Sequence, residues 1–152
     1  MANQATYDDA NLILRLYDLR REEKIRTARD WFLKNYRAQS LDEAMQIIPM
    51  GSQENAYFRM VVSYWEMAAS FVTAGVLNKE LFFESNGEML VVWIRLMPIL
   101  PAFRAMTKNP ESWKNLETVG NAYIEHIKAK GPGVYEGMVA MINMPPQAAK
   151  TA

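Results

Sequence analysis

Six polar residues set at helical intervals constrain this chain more than any other feature. Between Ser52 and Gly75 they are Asn55, Arg59, Ser63, Glu66, Ser70 and Thr73, with gaps of four, four, three, four and three. At about 100° per residue they share one stripe about 80° wide. From Ala56 onward the rest of the stretch is apolar, including Phe58, Val61, Val62, Tyr64, Trp65, Phe71 and Val72. A helix apolar around most of its circumference is surrounded by other elements. A membrane span would not keep such a stripe, because each charge near its centre costs about 3 kcal/mol. The stretch therefore reads as the buried central helix, about residues 52–75, of a soluble all-α domain. The stripe is then either solvent-facing surface or, at Arg59, Ser63 and Glu66, the lining of a groove or the seam of a dimer. Covering so much apolar surface asks for more partner surface than a modest chain readily supplies. A second protomer meets that need, so a homodimer is expected.

Signals on either side give an all-α bundle of about six helices. Asp8 or Asp9 caps a first helix in which Leu12, Leu16, Leu19, Ile25, Ala28, Phe32 and Tyr36 recur at near-helical spacing. Its apolar-poor middle, "LRREEKIR", is either exposed or a break. Ser40 and Glu43 form a capping box before a short helix. Ser52 caps the central helix and Gly75 ends it in the left-handed conformation. Asn78 caps a helix that stops at Asn86-Gly87. A further helix, about residues 88–107, is kinked by Pro98 and Pro101, which lack amide donors. Asn109-Pro110 starts a last long helix that runs to about Lys130 and ends at "GPG". The whole reads as a single all-α domain, residues 1–142, with a flexible tail at 143–152.

Composition removes whole classes of function. Lysine plus arginine and aspartate plus glutamate are each 17, so no net field attracts nucleic acid, and none is expected as a partner. The charge is uneven, however. Arg15 to Arg37 holds eight basic and four acidic residues, a net of +4, whereas Leu41 to Leu90 holds two basic and seven acidic, a net of −5. Complementary pairing within or between subunits is the favoured use. There is no cysteine, which excludes disulfides, thiolate metal sites and cysteine nucleophiles. The amino terminus, "MANQATYDDANL", has no signal-peptide pattern. The longest apolar run, Met89 to Phe103, holds Arg95 and two prolines and falls short of the roughly 20 residues of a bilayer span. A cytoplasmic protein without a membrane span is expected.

No phosphate loop, nucleophile elbow, zinc-ligand pair or calcium loop occurs, so the chain reads as non-enzymatic, with no catalytic residue, cofactor or metal. His126, the single histidine, sits near a helix end, where the helix dipole favours its charge. Trp31, Trp65, Trp93 and Trp113 read first as core. Arg95, set in "VVWIRLMP", needs a carboxylate, carbonyls or water. An ion pair with Glu66 or Glu88 is the leading expectation, ahead of snorkelling to the surface or binding an anion. The candidate buried polar or ligand site is Arg59, Ser63, Tyr64, Trp65, Glu66, Glu88, Trp93 and Arg95. The leading function is a self-associating interaction or regulatory module. The alternative is a protein binding an apolar or anionic small molecule in a pocket near Tyr64, Trp65, Trp93 and Arg95.

Tyr64-Trp65-Glu66, the Gly75 turn into Leu81-Phe82, and the proline-broken segment ending at Arg104 before Asn109-Pro110 carry a family likeness. Over roughly residues 29–117 the chain resembles an uncharacterised bacterial family of small all-helical domains, a domain of unknown function. The resemblance implies an all-α fold and supplies no activity, cofactor or catalytic residue. Members of that family often carry an amino-terminal membrane helix, which this sequence does not show.

Overall fold

The computed structural model describes residues 3–145, which form helices and connecting turns with no strand among them. The nine α-helical segments are α1 (Tyr7–Arg21), α2 (Glu23–Asn35), α3 (Leu41–Ile47), α4 (Gln53–Thr73), α5 (Lys79–Ser85), α6 (Gly87–Leu96), α7 (Leu100–Thr107), α8 (Lys114–Lys128) and α9 (Val134–Asn143). A single 3₁₀ turn, Met97–Ile99, joins α6 to α7. The count exceeds six for three reasons. The apolar-poor stretch breaks at Glu22, whose carboxylate accepts from the Lys24 and Ile25 amides and so caps α2. The expected kinked helix is not one element, because Pro98 and Pro101 each remove a backbone donor and divide it at the 3₁₀ turn. Finally, α9 follows "GPG", where Gly133 at φ 77° restarts the helix. The expected tail begins inside α9, and residues 146–152 lie outside the described residues.

Caps explain the boundaries. The first helix is capped by Thr6, not by Asp8 or Asp9: the Thr6 hydroxyl accepts from the Asp9 amide, and the Asp9 carboxylate accepts from the Thr6 amide at 2.7 Å. Ser40, Ser52 and Asn78 cap α3, α4 and α5 as their types predict. Glu43, however, accepts from the Gln39 amide rather than that of Ser40. Gly75 at φ 76° ends α4 in a Schellman turn, with the Val76 and Gly75 amides donating to the Phe71 and Val72 carbonyls. Asn109-Pro110 opens a turn rather than a helix. The Asn109 side chain accepts from the Glu111 amide, and α8 starts five residues after Asn109, at Lys114.

The core forms around α4, which packs against α2, α8 and α6, while α6 also packs on α8 and α9. Val61 and Trp65 are fully buried. The partners that surround α4 thus come from the same chain, and the covering argument for a second protomer falls away. The polar stripe splits in use: Arg59, Ser63 and Thr73 are exposed, and Glu66 is half-buried. Gly120 lets α6 and α8 close up, since a Cβ there would lie 2.4 Å from the Trp93 ring. Taken as one run, Gly87–Thr107 is long and apolar enough to cross a membrane by length and composition, yet half of it is buried within the protein.

Candidate functional site

Arg95 is 6 % exposed and has no carboxylate partner among the described residues. Its guanidinium donates instead to three carbonyls at two helix ends: Phe32 (3.1 Å) and Leu33 (2.9 Å) in the last turns of α2, and Ile142 (2.8 Å) at the end of α9. In place of the ion pairs expected with Glu66 or Glu88, the guanidinium meets carbonyls at helix C-termini, which carry partial negative charge. Burial, and then the nearby Arg37 charge, push the Arg95 guanidinium down to about 10. Arg37 donates to the same Leu33 carbonyl.

Glu66 does the reverse job. Trp113, which precedes α8, is left-handed (φ 56°) and offers no side-chain cap. From α4, the Glu66 carboxylate reaches across and accepts from the Leu116 amide (2.8 Å), the Asn115 amide (3.2 Å) and the Asn115 side chain (2.8 Å). These are the N–H groups that an N-cap residue normally satisfies, and the negative charge suits the positive end of the helix dipole. Glu88 pairs with Arg29, accepting at 2.8 and 2.5 Å, while the third arm of Arg29 donates to the Arg20 carbonyl at the end of α1 (3.0 Å). A salt bridge that also closes a helix terminus holds α1, α2 and α6 together.

The aromatic candidates are framework as well. The Tyr64 hydroxyl donates to the Leu16 carbonyl of α1 at 2.5 Å, and burial pushes its pKa up to about 12. Trp65 meets the Tyr64 ring edge-on at 4.9 Å and lies under the Arg20 guanidinium at 5.3 Å. Trp93 packs on Gly120 and donates to Asn121 at 3.1 Å. On the surface of α4, Arg59 donates to Asn55 at 3.1 Å. The eight candidates therefore do not converge on one site. Two shallow depressions, of about 400 and 420 Å³, lie elsewhere, one around Leu77 and Asn78 and the other around Thr27 and Tyr57. Among the described residues no three His, Asp or Glu side chains gather in a way that would hold a metal ion. His126 is half-buried, 3.7 Å from Glu80 and against the Phe83 ring.

Sequence reasoning took Asp9 only as a possible cap of the first helix and passed over Arg29. Asp9 accepts from the Thr6 amide and, at 2.7 Å, from the Asn78 amide, so one carboxylate links the starts of α1 and α5. The Thr6 and Asn78 amides hold it below the usual carboxylate range. An acid three residues after a threonine is the local signal for the first of these contacts. For Arg29 no local signal exists, because its partner is 59 residues away.

No curated protein and no solved structure matches this chain. A family model does, over residues 5–123, a span that contains the Tyr64-Trp65-Glu66 and Asn109-Pro110 segments. The chain belongs to the family described as a domain of unknown function, DUF4760.

Proposed function

We propose that this chain is a non-enzymatic, cytoplasmic interaction module that acts by binding protein, a second copy of itself first of all. Of the residues suited to a ligand site, Arg95 and Glu66 are engaged at helix ends and Glu88 with Arg29, whereas apolar side chains are left uncovered on α1. Tyr7 is 81 % exposed and Leu14 60 %, with Tyr17 close by on the same side. That uncovered strip carries the reading, since contiguous apolar surface on a folded protein marks an interaction site. Arg15 and Arg21 on the same helix are exposed as well. Size-exclusion chromatography with light scattering from about 1 to 100 µM tests it. The expected mass climbs toward twice the 17.5 kDa of the chain. A mass that stays at 17.5 kDa throughout refutes self-association.

A further inference from the structure

Arg95 uses its guanidinium unevenly. Nη1 donates to two carbonyls of α2, those of Phe32 and Leu33. Nη2 donates to Ile142 of α9, and Nε is buried with no acceptor among the described residues. Nε and Nη2 form the edge with which a guanidinium grips two oxygens at once, as Arg29 grips the Glu88 carboxylate in this same protein. In Arg95 that edge meets one carbonyl and no carboxylate. A second cation adjoins it, since Arg37 donates to the same Leu33 carbonyl at 3.1 Å, and the Arg37 Nε is likewise buried without an acceptor. Neither arginine forms a salt bridge among the described residues, so their charge is uncompensated.

The cover of that edge is α9. It joins α8 through Gly131-Pro132-Gly133, whose glycines sit at φ 148° and 77°, and Pro132 withholds an amide, so no continuous helix ties the two together. Ile142 is the one buried residue of α9, with Tyr135, Met138 and Val139 partly buried. A short helix held by so little apolar surface opens locally at lower cost than α4. Lifting it takes the Ile142 carbonyl from Nη2 and leaves both nitrogens of the edge unpartnered. We propose that Arg95, with Arg37 beside it, is a carboxylate-binding site gated by α9. When α9 is closed, the Ile142 carbonyl occupies the place of one carboxylate oxygen; when it opens, the edge takes both oxygens of a carboxylate ligand. A carboxylate is the planar two-oxygen anion that matches one such edge, and the other terminal nitrogens of both arginines are taken by α2 carbonyls.

Amide exchange of the intact chain, read by mass spectrometry near neutral pH, tests this with acetate as the probe. An open state that binds acetate with a dissociation constant of about 50 mM is tripled in population by about 100 mM acetate. Exchange in α9 is therefore expected to run about threefold faster in acetate than in chloride of equal ionic strength, while exchange in α4 is unchanged. Arg95→Lys, checked for unchanged helicity, keeps the charge but lacks the two-nitrogen edge and brings the acetate-to-chloride ratio to about one. Arg37→Gln removes the second cation and lowers the ratio. Equal rates in acetate and chloride overturn the site. So does an acceleration that α4 shares, or one that Arg95→Lys retains. Should Arg95→Lys fail to fold, an acceleration that Arg37→Gln leaves untouched overturns it. Inorganic phosphate that speeds α9 where acetate does not overturns the choice of carboxylate.

Discussion

Removing the Glu66 carboxylate tests the claim that α4 caps α8. The first turn of α8 has two amides, Asn115 and Leu116, whose hydrogen-bond acceptor is supplied by another helix, and the local cap residue, left-handed Trp113, has no side-chain oxygen to replace it. Losing an ordinary N-cap costs about 1 kcal/mol, and a hydrogen bond to a charged group contributes about 1.5–3 kcal/mol. With three donors on one half-buried carboxylate, Glu66→Ala should destabilise by about 2–3 kcal/mol. For a chain of this size each kcal/mol lowers the melting temperature by about 2–4 °C, so a fall of about 5–10 °C is expected. Glu66→Gln keeps an acceptor oxygen but loses the charge and should fall between the two. Urea titration by far-UV circular dichroism gives the free energies, and amide exchange shows whether the loss is localised to α8. Glu66→Ala within about 0.5 kcal/mol of the parent, or Glu66→Gln no better than Glu66→Ala, would refute the assignment.

Four further outcomes follow from other contacts. Arg95→Met should loosen α9 about tenfold in amide exchange while sparing α4, because the Ile142 carbonyl loses its donor whereas Phe32 and Leu33 keep the Tyr36 amide and Arg37. Gly120→Ala should cost about 3 kcal/mol by denaturant unfolding, since its methyl must displace the buried Trp93 ring. The Tyr36 hydroxyl is buried with no hydrogen-bond partner among the described residues, whereas those of Tyr64 and Tyr123 donate to the Leu16 and Phe83 carbonyls. Tyr36→Phe should therefore be neutral or stabilising, and Tyr64→Phe and Tyr123→Phe should each cost about 1 kcal/mol in the same assay. Burial raises the pKa of all three tyrosines, so the unfolded chain ionises first. Stability is then full below about pH 10 and lost as pH rises through 10 toward 12, which urea midpoints at pH 9 and 11 would show. Arg95 works in the opposite sense above pH 10, and one arginine is outweighed by three phenols.

What could be read locally was read correctly for the central helix. Ser52 and Gly75 bound α4, and the gaps between its polar residues locate the exposed side, because a capping hydroxyl, a left-handed glycine and a 3.6-residue period act within a few residues. The reading failed where local chemistry permits more than one outcome. Asn109-Pro110 suits a turn as well as a helix start, and Pro98 and Pro101 divide a helix as readily as they kink it. Among the candidate residues, burial of Arg95 and Trp65 was legible from their neighbours, but their partners were not.

The amino-acid order by itself determined that this chain is helical, where its main beam lies and which residues cap several of its helices, since those are short-range effects of hydrogen bonding and side-chain period. Only the tertiary structure decided what the conspicuous charges do. Arg95 faces carbonyls, Glu66 faces amides and Glu88 faces Arg29 because helix ends separated by dozens of residues arrive at the same place. A helix terminus is an unsatisfied partial charge with no letter of its own in the sequence, and so its partner is visible only once the chain has packed.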